Sequence, residues 1–238
     1  MRNTTPQTHN TGLITVRTSS SRLPNKCLLP LGDETVISHV IKRAISYGID
    51  PIVCTSTDAS DDILVEISKQ LGVKYFRGSL LNKLQRWLDC AENFDLDYFH
   101  TVDADDPFFD GDQMRESIEL LLEERLDMVG PTPSSSVGGA SVGYSLTTDI
   151  VKRALHGVAA DADTEMMWSY IEKISNLRSK VLPETTSETP NIRLTLDYEE
   201  DYWMIASLVN ILGNEATRTQ INDFFNRNPD FPKINFFR

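Results

Sequence analysis

Hydrophobic and polar positions along the 238-residue chain alternate between two periods. Short apolar runs, "GLITV" (12–16), "PIVCTS" (51–56), "VKYF" (73–76), "DYFHTV" (97–102), "DMVGPT" (127–132) and "NIRLTL" (191–196), have the length and β-branched content of strands. Between them, "ETVISHVIKRAISYG" (34–48), "SDDILVEISKQLG" (60–72), "LLNKLQRWLDCAENF" (80–94) and "DGDQMRESIELLLEERL" (110–126) carry apolar residues at helical spacing. Gly48 and Gly72 stand where helix C-caps belong, and Ser60 at a helix N-cap. The second half is less regular: "SVGYSL" (141–146) predicts one more strand, and "DADTEMMWSYIEKI" (161–174), "EEDYWMIASLVNILG" (199–213) and "RTQINDFFNRN" (218–228) predict helices. Strand–helix alternation of this kind predicts an α/β fold, a mostly parallel sheet flanked by helices on both faces. We expect a single domain over residues 12–238 behind a polar lead, residues 1–11. In open parallel sheets ligands bind beyond the carboxyl ends of the strands. The loops after "GLITV", "PIVCTS", "DYFHTV" and "NIRLTL" are therefore the ones expected to carry chemistry.

Charge changes the picture next. A formal net charge of -12 argues against a general nucleic-acid surface, which needs a positive face. No run of about 18 apolar residues offers a membrane span, and the polar start lacks a signal-peptide core. Cys27, Cys54 and Cys90 are scattered without metal-type spacing, which suits a reducing, cytoplasmic location. Against this acidic background, "RTSSSRLPNK" (17–26) gathers Arg17, Arg22 and Lys26 among hydroxyls, and Pro24 prevents a continuous helix through it. Forked guanidiniums, hydroxyls and free backbone N–H groups suit a small polyphosphate. It is not a Walker loop, because the glycines and the G-K-[ST] ending are absent. A solvated basic surface loop reads equally well from spacing alone.

The acids form a second signal. At the end of "DYFHTV", Asp103 and Asp105 stand at i and i+2, on one side of an extended chain. Carboxylates this close repel unless a cation lies between them, so they make a natural seat for a hard divalent ion; Asp106 and Asp110 also serve as candidate helix caps. Asp197 ends "NIRLTL" as either ligand or N-cap, whereas Glu199, Glu200 and Asp201 suit the first turn of a helix. His39 falls on an apolar helix face and is read as a packed residue or a support behind a site, and His100 lies within a strand. Trp87, Trp168 and Trp203 are read as core. No nucleophile triad or G-x-G-x-x-G fingerprint occurs.

Taken in order, five segments resemble the sugar-acid cytidylyltransferases, the makers of CMP-Kdo and CMP-sialic acid, and their spore-coat-polysaccharide-type branch most of all. They are "VRTSSSRLPNK" (family form A-R-x-x-S-x-R-L-P-x-K), "LGDETVISHVIKRA", "VCTSTDASDDILVEISKQLGVKYFRGS", "DADDP" (family GDEP or ADCP) and "RLTLDYEEDY". The match spans residues 12 to 212. The resemblance implies a Rossmann-like, glycosyltransferase-A-like sheet, CTP as co-substrate, Mg²⁺ as cofactor, a small anionic acceptor, and a homodimer as a candidate assembly. By position it implies that Arg17, Ser20, Arg22 and Lys26 hold the triphosphate and that Asp105 and Asp197 hold the metal, with Asp103 as an extra candidate. Thr55, Ser56, Arg77 and Ser79 fall in segments bordering the nucleoside. Three departures stand out: Asn25 replaces a common glycine, "ADDP" replaces "GDEP", and "LDYEED" lacks the usual proline. The acceptor-binding half, residues 130–190, matches loosely.

Three functions remain open on these residues. The preferred one is CMP transfer from CTP to an acceptor oxygen with release of pyrophosphate. The acceptor is a sugar acid, with a phosphonate or a phosphorylated small alcohol as alternatives. A metal-dependent glycosyltransferase would use Asp103 and Asp105 as a D-x-D grip, but leaves Arg22 and Lys26 without a role. A non-catalytic nucleotide-binding protein on the same fold is the third.

Overall fold

The computed structural model describes residues 10–136, 139–184, 192–235 and 237. Residues 1–9 of the expected lead, His9 among them, lie outside the described residues, as does the first residue of "NIRLTL"; Thr11 already belongs to the first strand. In chain order the strands are β1 (Thr11–Thr15), β2 (Pro30–Leu31), β3 (Glu34–Thr35), β4 (Asp50–Ser56), β5 (Lys74–Gly78), β6 (Tyr98–Asp103), β7 (Met128–Gly130), β8 (Ser145–Thr147) and β9 (Ser179–Val181). The helices are α1 (Val36–Ser46), α2 (Asp62–Gln70), α3 (Lys83–Asn93), α4 (Gly111–Glu123), α5 (Pro133–Ser136), α6 (Thr148–Ala154), α7 (Trp168–Ile171), α8 (Glu199–Leu212) and α9 (Arg218–Arg227).

Seven strands form one sheet in the order β5-β4-β1-β6-β8-β7-β9, while β2 and β3 pair separately as a small antiparallel ribbon. β1 pairs in parallel with β4 and with β6, β4 with β5, and β7 with β9; β8 alone runs against its neighbours β6 and β7. The chain therefore winds outward from β1 through β4 to β5 and then returns to β6 on the other side of β1. That reversal opens a crevice at the carboxyl ends of β1 and β6, where an open α/β sheet receives its ligand.

Strand periodicity builds two cores. Leu13, Ile52, Cys54 and Phe99 pack on one face beneath α3, α6 and α7; Ile14, Val53 and Val102 pack on the other, beneath α1, α2 and α4. Both faces are covered, so these strands read as continuous apolar runs. A third core joins α8 and α9 to the small ribbon through Leu31, Val36, Met204 and Leu208. Gly48 ends α1 at a φ of 74°, the left-handed conformation expected of a C-cap. Gly143 is required for another reason: at φ +79°, a Cβ there would meet the carbonyl oxygen of Thr101 at 1.8 Å.

Four local expectations are corrected. Residues 192–197 are extended but join no sheet, bonding instead to the loop after β6 through Leu196 N to Asp105 O (2.7 Å) and Thr195 Oγ1 to Asp106 Oδ1 (2.7 Å). The strand-like alternation survives: Ile192, Leu194 and Leu196 enter the third core, leaving Arg193, Thr195 and Asp197 on the other side. The expected helix over 161–174 is reduced to α7, because Thr164 is claimed by α3: its hydroxyl donates to Asn82 (3.0 Å) and accepts from the Leu84 amide (2.9 Å). Ser60 does not cap α2; it sits in a 3₁₀ turn, Ala59–Asp61, and Asp58 accepts its amide at 2.9 Å. Trp203 is exposed on the outer face of α8, donating to Glu199 at 3.3 Å, whereas Trp87 is fully buried and Trp168 half-buried.

Candidate active site

The loop after β1 is fixed at its start. Asp61 is buried, and its carboxylate accepts from the Thr18 amide (2.8 Å), the Thr18 hydroxyl (2.8 Å) and the Ser56 hydroxyl (2.5 Å). Burial alone would raise the Asp61 carboxyl; the bonds from Ser56 and Thr18 outweigh it and hold the group below its ordinary value. At its other end the loop turns at Asn25, whose φ of 55° and ψ of 29° lie in the left-handed region. Glycine takes that conformation freely, and asparagine is among the few other residues that tolerate it. The asparagine that replaces the family's glycine is thus compatible with this turn. Pro30, just beyond, is held by α8 through the Tyr202 hydroxyl at 2.8 Å.

So braced, the loop sends its cations to two flanks of one cleft of about 700 Å³. On one flank, the Lys26 ammonium donates to Asp105 Oδ2 (2.8 Å), Asp197 Oδ1 (3.0 Å) and the Leu196 carbonyl (2.8 Å), and Arg22 donates to the same Asp197 oxygen at 2.7 Å. On the other, Arg17 donates to the Leu80 carbonyl (2.8 Å) and to Glu165 Oε2 (2.9 Å). Ser19, Ser20 and Ser21 line the span between them.

Asp105 and Asp197 are brought together through Thr195 and Leu196, which hold the extended segment against the loop after β6. Asp201, fully buried at the start of α8, accepts from the Asp197 amide (3.0 Å), the Tyr198 amide (2.9 Å), Arg193 Nε (2.9 Å) and Asn235 (2.8 Å). The structural reading of Asp201 thus holds. The helix cap falls on Tyr198, which leaves the Asp197 side chain free for the cleft. Burial would raise the Asp197 carboxyl, but Lys26, Arg22 and Arg193 together hold it below its usual range. Burial would likewise lower the Lys26 ammonium, and Asp105 and Asp197 reverse that, so its pKa is raised.

Asp103, the last residue of β6, does not join this pair. It faces Lys83, whose ammonium lies 3.5 Å from Asp103 Oδ1 and 3.5 Å from Glu165 Oε1. Burial, with the like charge of Asp105, raises the Asp103 carboxyl. Asp106 is raised well above its ordinary value by burial and by both neighbouring acids. Among the described residues no group of three or more His, Cys, Asp or Glu side chains gathers as a metal cluster. Two carboxylates sharing one cationic atom are nonetheless a fitting donor set for a hard divalent ion that completes its shell with water and phosphate oxygens. Here the Lys26 ammonium lies between them.

Four predicted nucleoside contacts are not brought to the cleft. Ser56 is spent on Asp61, and Thr55 is fully buried beside it. Arg77 clamps the end of β4, donating to the carbonyls of Ser56 (2.8 Å) and Asp58 (2.7 Å) and pairing with Asp62 at 2.6 Å. The Ser79 hydroxyl accepts the Asn82 amide at 3.0 Å. Conversely, Lys83, Glu165 and the serines Ser135, Ser136 and Ser141 line the cleft although their sequence context does not single them out. Lys83 sits in the first turn of α3, a position that gave no signal beyond a lysine in an amphipathic helix. His39 is buried as expected, on the Pro107 carbonyl (3.0 Å), and His100 is buried on Ser145 (2.8 Å) and the Val142 carbonyl.

Residues 11–218 match the model of the family described as cytidylyltransferase. The chain belongs to that family. A cytidylyltransferase moves CMP from CTP to an acceptor oxygen and releases pyrophosphate, so the glycosyltransferase and scaffold readings of these residues fall away. Among similar proteins are an uncharacterized protein, MJ1063, of Methanocaldococcus jannaschii, 31% identical over 94% of this chain and 93% of its own, and the spore coat polysaccharide biosynthesis protein SpsF of Bacillus subtilis, 27% identical over 92% and 94%. A solved cytidylyltransferase from Leptospira borgpetersenii superposes with a TM-score of 0.80 at 22% identity, covering 94% of this chain and 96% of that one. The CMP:2-keto-3-deoxy-manno-octonic acid synthetase complexed with CTP does so at 0.64 and 14% identity, over 85% and 99%. At such identities the two structures speak for the fold. No helix among the described residues is long and apolar enough to cross a membrane.

Proposed function

We propose that this cytidylyltransferase activates a sugar acid, with Asp105 and Asp197 holding Mg²⁺ and with Ser20, Arg22 and Lys26 receiving the triphosphate; Arg17, expected among them, faces Leu80 and Glu165 on the other flank. The observation that carries the proposal is the convergence of Asp105 and Asp197 on one ammonium group, with Arg22 beside it, at the carboxyl ends of β1 and β6. A divalent ion bound between the two carboxylates would offset charge on the phosphate oxygens. Lys26, now on Asp105 and Asp197, would then donate to phosphate oxygens in their place. In the transfer itself an acceptor oxygen forms a bond to the α-phosphorus while the bond to the bridging oxygen of pyrophosphate breaks. Arg22 and Lys26 meet charge that grows on the departing group, and fixed cations aimed at developing charge are worth most in a cleft that excludes water. Arg22, a planar fork, suits two oxygens at once; Lys26 is a point charge with three donors. The spore coat polysaccharide biosynthesis relative favours a sugar acid as acceptor.

The test is pyrophosphate release with CTP and Mg²⁺ across a panel of nonulosonic and octulosonic acids, phosphonates and phosphorylated alcohols. Turnover confined to the sugar acids is expected. Turnover with a phosphonate or alcohol alone would overturn the assignment of the acceptor.

A further inference from the structure

Lys83, Arg17 and Glu165 form a cluster at the end of the cleft away from Asp197. Glu165 presents one oxygen to each cation, Oε2 to Arg17 at 2.9 Å and Oε1 to Lys83 at 3.5 Å. The Lys83 side chain is 6% exposed and rests over the Trp87 ring, 5.1 Å from its centroid. Its second acid, Asp103, is also 3.5 Å away, so neither partner closes tightly on it. The Arg86 guanidinium adds a third positive charge behind the pair, donating to the carbonyls of Ser79 (2.5 Å) and Leu80 (3.3 Å). Lys83, Arg17, Asp103 and Glu165 all line the cleft.

These four groups are unequally fixed. Lys83 and Asp103 belong to α3 and β6, and Arg17 is tied to the Leu80 carbonyl. Glu165 is 48% exposed and stands on the irregular stretch before α7, next to Met166, itself 73% exposed. If Glu165 swings out, the buried Lys83 ammonium keeps only Asp103 and the half-buried Arg17 guanidinium keeps only the Leu80 carbonyl, and an uncompensated buried charge is costly. Whatever replaces Glu165 must therefore be an anion. We propose that Lys83 and Arg17 form the seat for the acceptor's carboxylate, and that Glu165 fills this seat in the free enzyme and is displaced by the acceptor. A carboxylate already bridges the two cations, one oxygen on each, and the phosphate-binding cations Arg22 and Lys26 lie on the opposite flank. The inference rests on the acceptor being a sugar acid, and it makes Lys83 a specificity-determining residue.

The test uses the full-length enzyme and two probes. With the sugar acid that the panel identifies, Glu165→Gln is expected to lower the acceptor KM several-fold with the CTP KM unchanged, because the competing charge is gone. Lys83→Met should raise the acceptor KM about tenfold or more, the scale of one charge-assisted hydrogen bond, again without change for CTP. Calorimetric titration of pyruvate, the smallest 2-keto acid, supplies a readout independent of turnover: affinity should rise in Glu165→Gln and fall in Lys83→Met. If no sugar acid is turned over yet pyruvate follows this pattern, the acceptor assignment fails and the carboxylate seat stands. A weaker acceptor or pyruvate affinity in Glu165→Gln, or no change, overturns the seat. Equal losses for CMP and acceptor in Lys83→Met would assign these cations to the α-phosphate and overturn it as well. Should Lys83→Met fail to fold, the Glu165 variant decides alone.

Discussion

Lys26 and Asp105, 79 positions apart in the chain, meet at 2.8 Å across the mouth of the cleft. The ammonium completes the contact with Asp197 at 3.0 Å, so a single positive charge keeps two carboxylates together. Two groups of like charge this close are stable only with a cation between them. The pair is thus assembled before any ligand arrives.

Asp105→Asn and Asp197→Asn should each reduce turnover by about a hundredfold or more, the scale of removing one charge-stabilising group. Asp103→Asn should cost less, since Asp103 faces Lys83 instead of the shared cation. Steady-state pyrophosphate release, with circular dichroism to verify the fold, checks both. Greater damage from Asp103→Asn would refute the metal assignment.

Lys26→Ala should lower kcat as well as CTP affinity, because its contact strengthens as pyrophosphate leaves. CMP, which lacks the β- and γ-phosphates, should bind parent and variant about equally. Arg22→Lys should restore only part of the activity, since a point charge does not reproduce a fork. Titrations of CTP and CMP into each variant separate these effects. Mg²⁺ should also raise the melting temperature of Lys26→Ala more than that of the parent, because the carboxylates have lost their internal cation.

Asp201→Ala should destabilise the protein by about 3–5 kcal/mol, since it leaves Arg193 without the acid buried against it. Asp201 also holds the amides of Asp197 and Tyr198, so the surviving folded fraction should show a raised CTP KM. Urea unfolding and kinetics on the same preparation test the two halves. Normal kinetics would mean that Asp197 is positioned by its cations alone.

His100 gives the fold an acid limit. Burial pushes its imidazole down to about 4, so it stays neutral in the native state while the unfolded chain retains the ordinary value of 6.5. Between those values the unfolded state binds the extra proton, and stability falls as pH is lowered from 6.5 towards 4, by ~3 kcal/mol in all. Asp197, held below its ordinary carboxyl value, adds a loss at still lower pH, as it protonates. Melting curves from pH 7 to 4 should show the decline, and His100→Gln should flatten its upper part. An unchanged slope in His100→Gln would reassign the effect to other groups.

The linear order of residues determined the alternation of β1, α1, β4, α2, β5, α3 and β6, because strand and helix periods are local properties of a few neighbouring positions. It also determined the loop cations and Asp105, since backbone turns and strand ends carry their own marks: Pro24 breaks the helix, and the acids follow directly on an apolar run. Asp197 was legible as a residue but not as a neighbour of Asp105. That proximity depends on Thr195 and Leu196 bonding to the loop after β6, across about ninety residues of chain. Thr55, Ser56 and Arg77 had the right chemistry for a nucleoside, yet Asp61 claims Ser56, the carbonyls at the end of β4 claim Arg77, and Thr55 is fully buried. Lys83 and Glu165, 82 positions apart, bore no mark at all. Only the packing of α3 against β6 and the return of the chain before α7 bring their charges face to face. Periodicity is short-range and written in the sequence, whereas the encounter of charged side chains from distant segments exists only once the sheet and its helices have packed together.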